Sequence, residues 1–415
     1  MSAQSVPPSQ SGPDSAQARV SRILAATPLI DGHNDFLSRV WLKHWTADSF
    51  DFARPMPAFM TDLPRLLAGR MGAQFWVIFV PAQPEYPHPF QSAQPQLELF
   101  RAMLARYPDL VQARTAEDIV RIHRSGKVAS LLGIESGHII EGSLDNLRTL
   151  YDAGARYMTL THWRTTEWAD AATDLPQHGG LTRQGERIVR EMNRIGMMVD
   201  LSHVSDSTMW DVLRVSRAPV IFSHSSARRF SDHVRNVPDD VLRAVSRNGG
   251  LVMINFDAWF IHQPTKDWYG ERDKIATNFD PVRRMMGDTA MATDSIRAWE
   301  ARHPVPLPGL KEVADHIDHI RLVAGVDHVG LGSDFDGTDY NPIGLDDVSR
   351  FPALLEELAR RGWSDGDLAK VAGGNLLRVM RRVESVARQS QHRVASNRTR
   401  LALAGPSRAE STGGQ

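Results

Sequence analysis

Pro28-Leu-Ile-Asp31-Gly-His33-Asn-Asp35 is the stretch from which the rest of the chain can be read. A short apolar run leads straight into Asp, His and Asp at alternate positions. On an extended strand alternate residues share a face, so His33 and Asp35 are expected to point the same way. An imidazole and a carboxylate delivered together at the end of a buried strand suit a zinc-like ion. One His-x-Asp triplet is weak evidence, because such residues more often serve as caps or surface groups. The weight comes from repetition of the layout, strand then polar group, further along the chain.

Phe75-Trp-Val-Ile-Phe-Val80 is stopped by Pro81, and Val128-Ala-Ser-Leu-Leu-Gly-Ile134 by Glu135. Continuous apolar runs of this length read as strands buried on both faces, as in parallel sheets. Residues 157–160 lead to Thr161 and His162, 197–202 to His203, 219–223 to His224, 251–254 to Asn255, and 328–333 to Asp334. With the first strand that makes eight. Amphipathic stretches of helical period lie between most of them, at 147–153, 185–195, 205–215 and 313–323, and Pro238-Asp-Asp240 has the character of a helix first turn. Eight alternations predict an α/β fold, a (β/α)8 TIM barrel of the metal-dependent hydrolase type, with an open doubly wound sheet as the alternative.

The same reading predicts one catalytic domain over 21–385, a polar leader over 1–20 and a disordered tail over 386–415. Residues 36–74 read as a loop with short helices that walls the site. A connection of about 256–310 carries Trp259, Phe260, Trp268, Tyr269 and Trp299 and is far longer than an ordinary βα link. It is a candidate lid or homodimer contact.

Acidic and basic residues nearly balance among the 415, 49 against 48, for a formal charge of -1. No global field then draws the protein to nucleic acid or to an anionic membrane, and a small substrate fits better. No apolar run approaches the ~20 residues that span a bilayer. The chain has no cysteine, which excludes thiolate ligands and disulfides, so any metal is held by His and carboxylate. A soluble, cytoplasmic protein is the expectation.

In a barrel of this kind the strand ends converge on one face. Five proposed strands end in groups able to bind a cation: His33 with Asp35, Glu135, His203, His224 and Asp334. Six ligands exceed what one tetrahedral zinc uses, whereas a bridging carboxylate can hold two ions about 3.5–4 Å apart, the arrangement that activates water.

These residues stand in seven ordered motifs: Asp31-Gly-His-Asn-Asp35, Gly133-Ile-Glu-Ser-Gly-His138, Leu160-Thr-His162, Asp200-Leu-Ser-His-Val-Ser205, Phe222-Ser-His-Ser-Ser-Ala227, Arg235-Asn-Val-Pro-Asp-Asp240 and Gly332-Ser-Asp-Phe-Asp-Gly337. With them the chain, from about residue 28 to 383, resembles the membrane (renal) dipeptidase family of zinc peptidases, within the amidohydrolase-like barrels. The resemblance implies two zinc ions per chain, one held by His33, Asp35 and Asp334, the other by His203 and His224, with Glu135 bridging. It further implies that His162 contacts the reacting carbonyl oxygen and that Arg235 binds the substrate's carboxylate. His138 and Asp336 are left as candidates for orienting the ligands. The expected activity is hydrolysis of dipeptides with a free C-terminal carboxylate by a zinc-held hydroxide, with Asp334 shuttling the proton. Alternatives are hydrolysis of lactams or N-acyl amino acids on the same scaffold, or a metal-stabilised binding protein without turnover. The chain departs from better-known members in lacking their disulfides and lipid-anchored context, and in its longer 255–311 segment.

Overall fold

The computed structural model of the chain describes residues 15–277 and 290–403. Nine parallel strands form the centre: β1 Leu29–Asn34, β2 Met71–Phe79, β3 Leu110–Gln112, β4 Val128–Glu135, β5 Ala155–Thr159, β6 Met198–Asp200, β7 Ile221–Phe222, β8 Leu251–Ile254 and β9 Val329–Leu331. Their order is β2-β1-β9-β8-β7-β6-β5-β4-β3, and β2 also pairs with β4 along its length, from Ala73↔Ala129 to Phe79↔Glu135. That pairing closes an eight-stranded parallel barrel, as the alternation predicts. The ninth strand, β3, pairs with β4 at residues 128–130, before β5 begins to pair with that strand at Leu132. It has two apolar residues followed by Gln, too little pattern to read as a strand beforehand.

Alternation along the strands divides the core. Ile30, Ala73, Phe75, Ala129, Leu131, Tyr157, Met198, Ile221, Leu251 and Met253 pack together inside the barrel, whereas Leu29, Trp76, Ile78, Leu132, Ile134 and Met158 pack outside against the helices. Leu376, Leu377, Val379, Met380 and Val383, on helix Asn375–Leu403, join the inner cluster at its strand-start end. Asn375 fastens that helix by donating to the carbonyls of Val326 and Val329.

The expected termini are corrected where they are described. Helix Ala16–Ala26 begins inside the expected leader, capped by Ser15 and burying Val20, Ile23 and Leu24 at helical spacing. Helix Asn375–Leu403 runs through the expected tail boundary at 386. Its polar composition conceals an inner turn pinned by the barrel floor, from which the helix propagates outward. Residues 1–14 and 404–415, and 278–289 of the long connection, lie outside the described residues. That connection is itself helical, with Ala258–Ile261, Gln263–Thr277 and Ala290–Glu300. No described helix is long and apolar enough to cross a membrane.

Candidate metal centre

The strand ends bring the predicted ligands to one spot at the carboxyl face. Asp35 lies 3.3 Å, Glu135 3.8 Å and Asp334 3.8 Å from His33 Nε2, each measured to a carboxylate oxygen. On the other side, Glu135 Oε1 stands 3.0 Å from His203 Nε2 and 3.4 Å from His224 Nε2. Glu135 thus offers Oε2 to one set and Oε1 to the other. Two groups that could hold an ion, His33 with Asp35 and His203 with His224, both contain Glu135. A third joins His33, His224 and Asp334, which sets Asp334 between the two sets rather than wholly beside Asp35.

His33 and Asp35 converge, but not by simple alternation. The β1 pairing shifts register between Asp31 and Asn34, and Asp35 lies past the strand, at the N-cap of helix Phe36–Leu42. Ser38, one turn on, donates to Asp35 Oδ1 at 2.9 Å and to its backbone carbonyl at 2.8 Å, so that first turn aims the carboxylate.

Hydrogen bonds at Nδ1 turn the ligand nitrogens of His33 and His224 to the site. Tyr157 donates its hydroxyl to the Gly32 carbonyl, which leaves its oxygen to accept from His33 Nδ1 at 3.0 Å and leaves Nε2 facing the site. Against the lowering effect of burial, the Asp35 and Glu135 carboxylates hold this imidazole well above its usual range, supplying a positive charge that a bound ion would replace. Ser223 donates to Asp200 Oδ2 at 2.6 Å and accepts from His224 Nδ1 at 2.8 Å, which likewise leaves its Nε2 facing the site. Asp200 is itself fully buried and takes a further hydroxyl from Thr159 and the amides of Ser202 and Ser223. Burial in apolar surroundings, with Arg235 nearby, keeps His162, His203 and His224 well below the usual imidazole range and therefore neutral.

Asn255 donates to Asp334 Oδ2 at 2.8 Å. Burial pushes the Asp334 carboxyl up to about 7, with Asp35 adding to the rise against the opposing pull of His33. Buried carboxylates this close together call for a cation. His33 Nε2, buried without a hydrogen-bond partner among them, points to the same missing charge. The donor set, three imidazoles and three carboxylates, fits divalent ions of the zinc type. Gly337 backs the site so closely that a Cβ there would lie 2.4 Å from Asp35 Oδ2, and a Cβ on Gly133 would meet the Tyr157 ring at 2.2 Å. Neither position accepts a side chain.

A cavity of about 290 Å3 opens above these groups. His162 lines it, with Nε2 3.7 Å from Glu135 Oε1 and its ring against Phe79 and His203. Arg235 also lines it. Its guanidinium is buried, lies 5.0 Å above the Phe260 ring and donates from Nη2 to the His224 carbonyl at 3.4 Å. Nε and Nη1 have no partner, and burial lowers the group to about 10 against the pull of Asp334 and Glu135. The acidic residues after it are otherwise engaged: Asp239 pairs with His319 at 2.7 Å and Asp240 accepts from the Val241 amide.

The two expected orienting residues land differently. Asp336 lines the cavity, accepts from the Met60 amide at 2.7 Å and is pushed up to about 6 by burial. His138 bonds to Ser136, the residue after Glu135, and contacts no ligand side chain directly. Tyr157, Asp200, Ser223 and Ser38 are the supports that sequence reasoning missed. Asp200 and Ser223 stood inside quoted motifs but read as strand residues, and Tyr157 read only as apolar filling. Leu42, Arg39 and Ser38 confirm that the region after β1 walls the site, and Trp259, Phe260 and Tyr269 put part of the long connection there as well.

Comparison with known proteins identifies the family. Residues 17–394 match the model of the membrane dipeptidase family, peptidase family M19. The chain is 39% identical over 388 residues to "Dipeptidase verJ" of Clonostachys rogersoniana, covering 90% of this chain and 89% of that one. It is 40% identical over 372 residues to "Dipeptidase 3" of Rattus norvegicus, covering 88% of this chain and 66% of the rat protein's length. Among solved structures it is similar to a metallo peptidase from Rhodobacter sphaeroides liganded with a phosphinate mimic of the dipeptide L-Ala-D-Ala. That match has a TM-score of 0.69 and 25% identity and covers 86% of this chain and 99% of the other. The chain therefore belongs to the membrane dipeptidase family, peptidase family M19, and is a metal-dependent hydrolase of peptide bonds.

Proposed function

We propose that the protein is a binuclear zinc dipeptidase that cleaves dipeptides with a free C-terminal carboxylate. One observation carries the substrate class: a buried guanidinium, Arg235, with two unpartnered donors facing the cavity beside the metal-binding groups. An unpaired buried cation is costly, and a carboxylate presents the two oxygens its fork can hold. The phosphinate mimic bound by the Rhodobacter sphaeroides protein is a dipeptide analogue, which supports the same reading.

His33, Asp35, Glu135, His203, His224 and Asp334 would hold the two ions, with Glu135 shared. When bound, the pair supplies Lewis acidity that lowers the pKa of water towards ~7. Asp334, steered by Asn255 through Oδ2, would take the proton from the attacking water and return it to the leaving amine. His162, neutral and at the cavity wall, is placed to donate to the carbonyl oxygen as charge develops on it. Arg235 holds the C-terminal carboxylate and so sets the scissile bond over Glu135. A cytoplasmic setting is part of the same reading, supported by a chain without cysteine.

The test uses pairs of dipeptides that differ only in C-terminal amidation. The parent enzyme should cleave the acid and reject the amide. Arg235→Ala should lose about two to three powers of ten in kcat/KM for the acid, about 3–4 kcal/mol, while handling the amide no worse than the parent. Equal cleavage of acid and amide by the parent would refute the anchor and favour a broader amidohydrolase.

A further inference from the structure

A second cavity, of about 360 Å3, lies at the end of the barrel opposite the metal-binding groups. Helices Arg183–Ile195 and Asn375–Leu403 pack together there, beside the turn that leads from helix Asp206–Val215 into β7. Four arginines line it, Arg190, Arg194, Arg217 and Arg382, and no carboxylate does. Arg190 and Arg194 are paired with Glu186 and Glu191 of their own helix at 2.7 and 2.6 Å. Arg217 and Arg382 make no ion pair among the described residues.

Asn193 supplies an independent observation. It is only 6% exposed, and its Oδ1 accepts from the amides of Arg217 at 2.7 Å and Ala218 at 3.3 Å and from the Ser216 hydroxyl at 3.2 Å. Those three donors settle which end of the amide is oxygen. Nδ2 is left buried with no acceptor, in a residue that lines the cavity. Arginine near a helix C-terminus ordinarily complements the helix dipole, which accounts for Arg194. It accounts neither for Arg382, in the early turns of a 29-residue helix, nor for an orphaned amide.

We propose that this cavity binds a multiply charged oxyanion of the phosphate class, held by Arg217 and Arg382 with Asn193 Nδ2 donating to one of its oxygens. Guanidinium forks match the paired oxygens of phosphate, and a buried amide donor adds a directional contact that a diffuse surface charge lacks. Asn193 and Arg217 precede β6 and β7, the strands whose far ends lead to His203 and His224. An occupant therefore braces those strands from below without touching the reaction.

Calorimetric titration of the metal-loaded enzyme with inorganic phosphate and with fructose 1,6-bisphosphate, against sodium chloride at equal ionic strength, tests the site. Binding should saturate and persist in Arg235→Ala, which separates it from the carboxylate anchor. It should weaken by about tenfold or more in Arg217→Ala/Arg382→Ala, whose dipeptide hydrolysis stays within about twofold of the parent as a check on folding. Arg217→Lys, which keeps the charge and loses the fork, should weaken binding by a smaller factor and serves if the double variant fails to fold. Unchanged affinity in these variants, or a response that chloride reproduces, overturns the proposal. Flotation with vesicles containing phosphatidic acid, lost in the same variants, would assign the phosphate to a lipid headgroup. Soluble binding without flotation assigns it to a free phosphate compound.

Discussion

The rim formed by the ends of β1, β4, β6, β7 and β9 and the connection that follows β8 face the same cavity, yet they are built by different physics. On the rim, His33, His224, Asp35 and Asp334 are each aimed by a buried polar partner, respectively Tyr157, Ser223, Ser38 and Asn255. Four rim residues, Ser136, His203, Asp334 and Asp336, have left-handed backbone with φ of 81, 70, 66 and 68°. Each such residue costs about 1–3 kcal/mol and survives only where its surroundings over-determine it. The connection instead presents stacked rings, Trp259 on Tyr269 at 4.7 Å and Trp163 on Trp259 at 6.1 Å. The rim is pre-organised for one chemistry, whereas the wall offers apolar surface that shapes what enters.

The largest effect should come from breaking the rim's chemistry while keeping its geometry. Asp334→Asn retains an oxygen for the ion but cannot accept a proton, so kcat should fall by about two to four powers of ten. Metal content, read by elemental analysis, should stay close to that of the parent. A kcat within a few-fold of the parent would mean that another group moves the proton and that the rim has a second base.

A smaller loss is expected from loosening one support. Tyr157→Phe removes the acceptor for His33 Nδ1 without opening a cavity, since the ring is retained. Metal affinity, measured by competition with a chelator, should weaken by about 10- to 100-fold. The corresponding Trp259→Phe change in the wall should leave that affinity untouched. If both variants bound metal equally well, the contrast between an aimed rim and a packed wall would fail.

The difference between the regions also explains what could be read beforehand. Ligands follow runs such as Val128-Ala-Ser-Leu-Leu-Gly-Ile134 or Pro219-Val-Ile-Phe-Ser223, because parallel strands buried on both faces force continuous apolar sequence that ends where the chain turns to the site. The expected ligands meet because those strand ends converge, Asp35 alone reaching them from the N-cap of helix Phe36–Leu42 rather than from the strand itself. Supports are harder to see. Tyr157 occupies an inward position that any apolar residue could fill, and its hydroxyl matters only because β1 happens to place Gly32 and His33 within reach. The helix passes the expected boundary at 386 because continuation from a pinned first turn needs little apolar sequence beyond it. The wall was visible as aromatic residues, but which of them face the cavity depends on packing that no local pattern encodes.

His316 joins the two regions, and the smallest effect is expected there. It lies on helix Leu310–Ala324, where its Nδ1 accepts from the Ala227 amide at 3.0 Å, on the loop after His224, and its Nε2 donates to the Ile261 carbonyl at 2.9 Å, in the wall. Burial lowers it to about 4, with His319 adding to the fall and the Ile261 carbonyl and Asp315 opposing it. Protonation would take away the lone pair that the Ala227 amide needs. In the unfolded chain the same imidazole titrates near 6.5, so between about pH 6.5 and 4 the unfolded state takes up a proton that the folded state refuses, and stability falls as pH falls. At pH 5 this one group should cost about 2 kcal/mol relative to pH 7.5. His316→Gln cannot titrate and keeps only one of the two bonds, so it should be less stable than the parent by about 1–2 kcal/mol at pH 7.5. Other acid-sensitive groups act in both proteins and cancel in the comparison. Urea unfolding at the two pH values should therefore show the gap between parent and variant narrowing on acidification. A gap that stays constant would mean that the joint between rim and wall does not titrate in this range, and that His316 only packs.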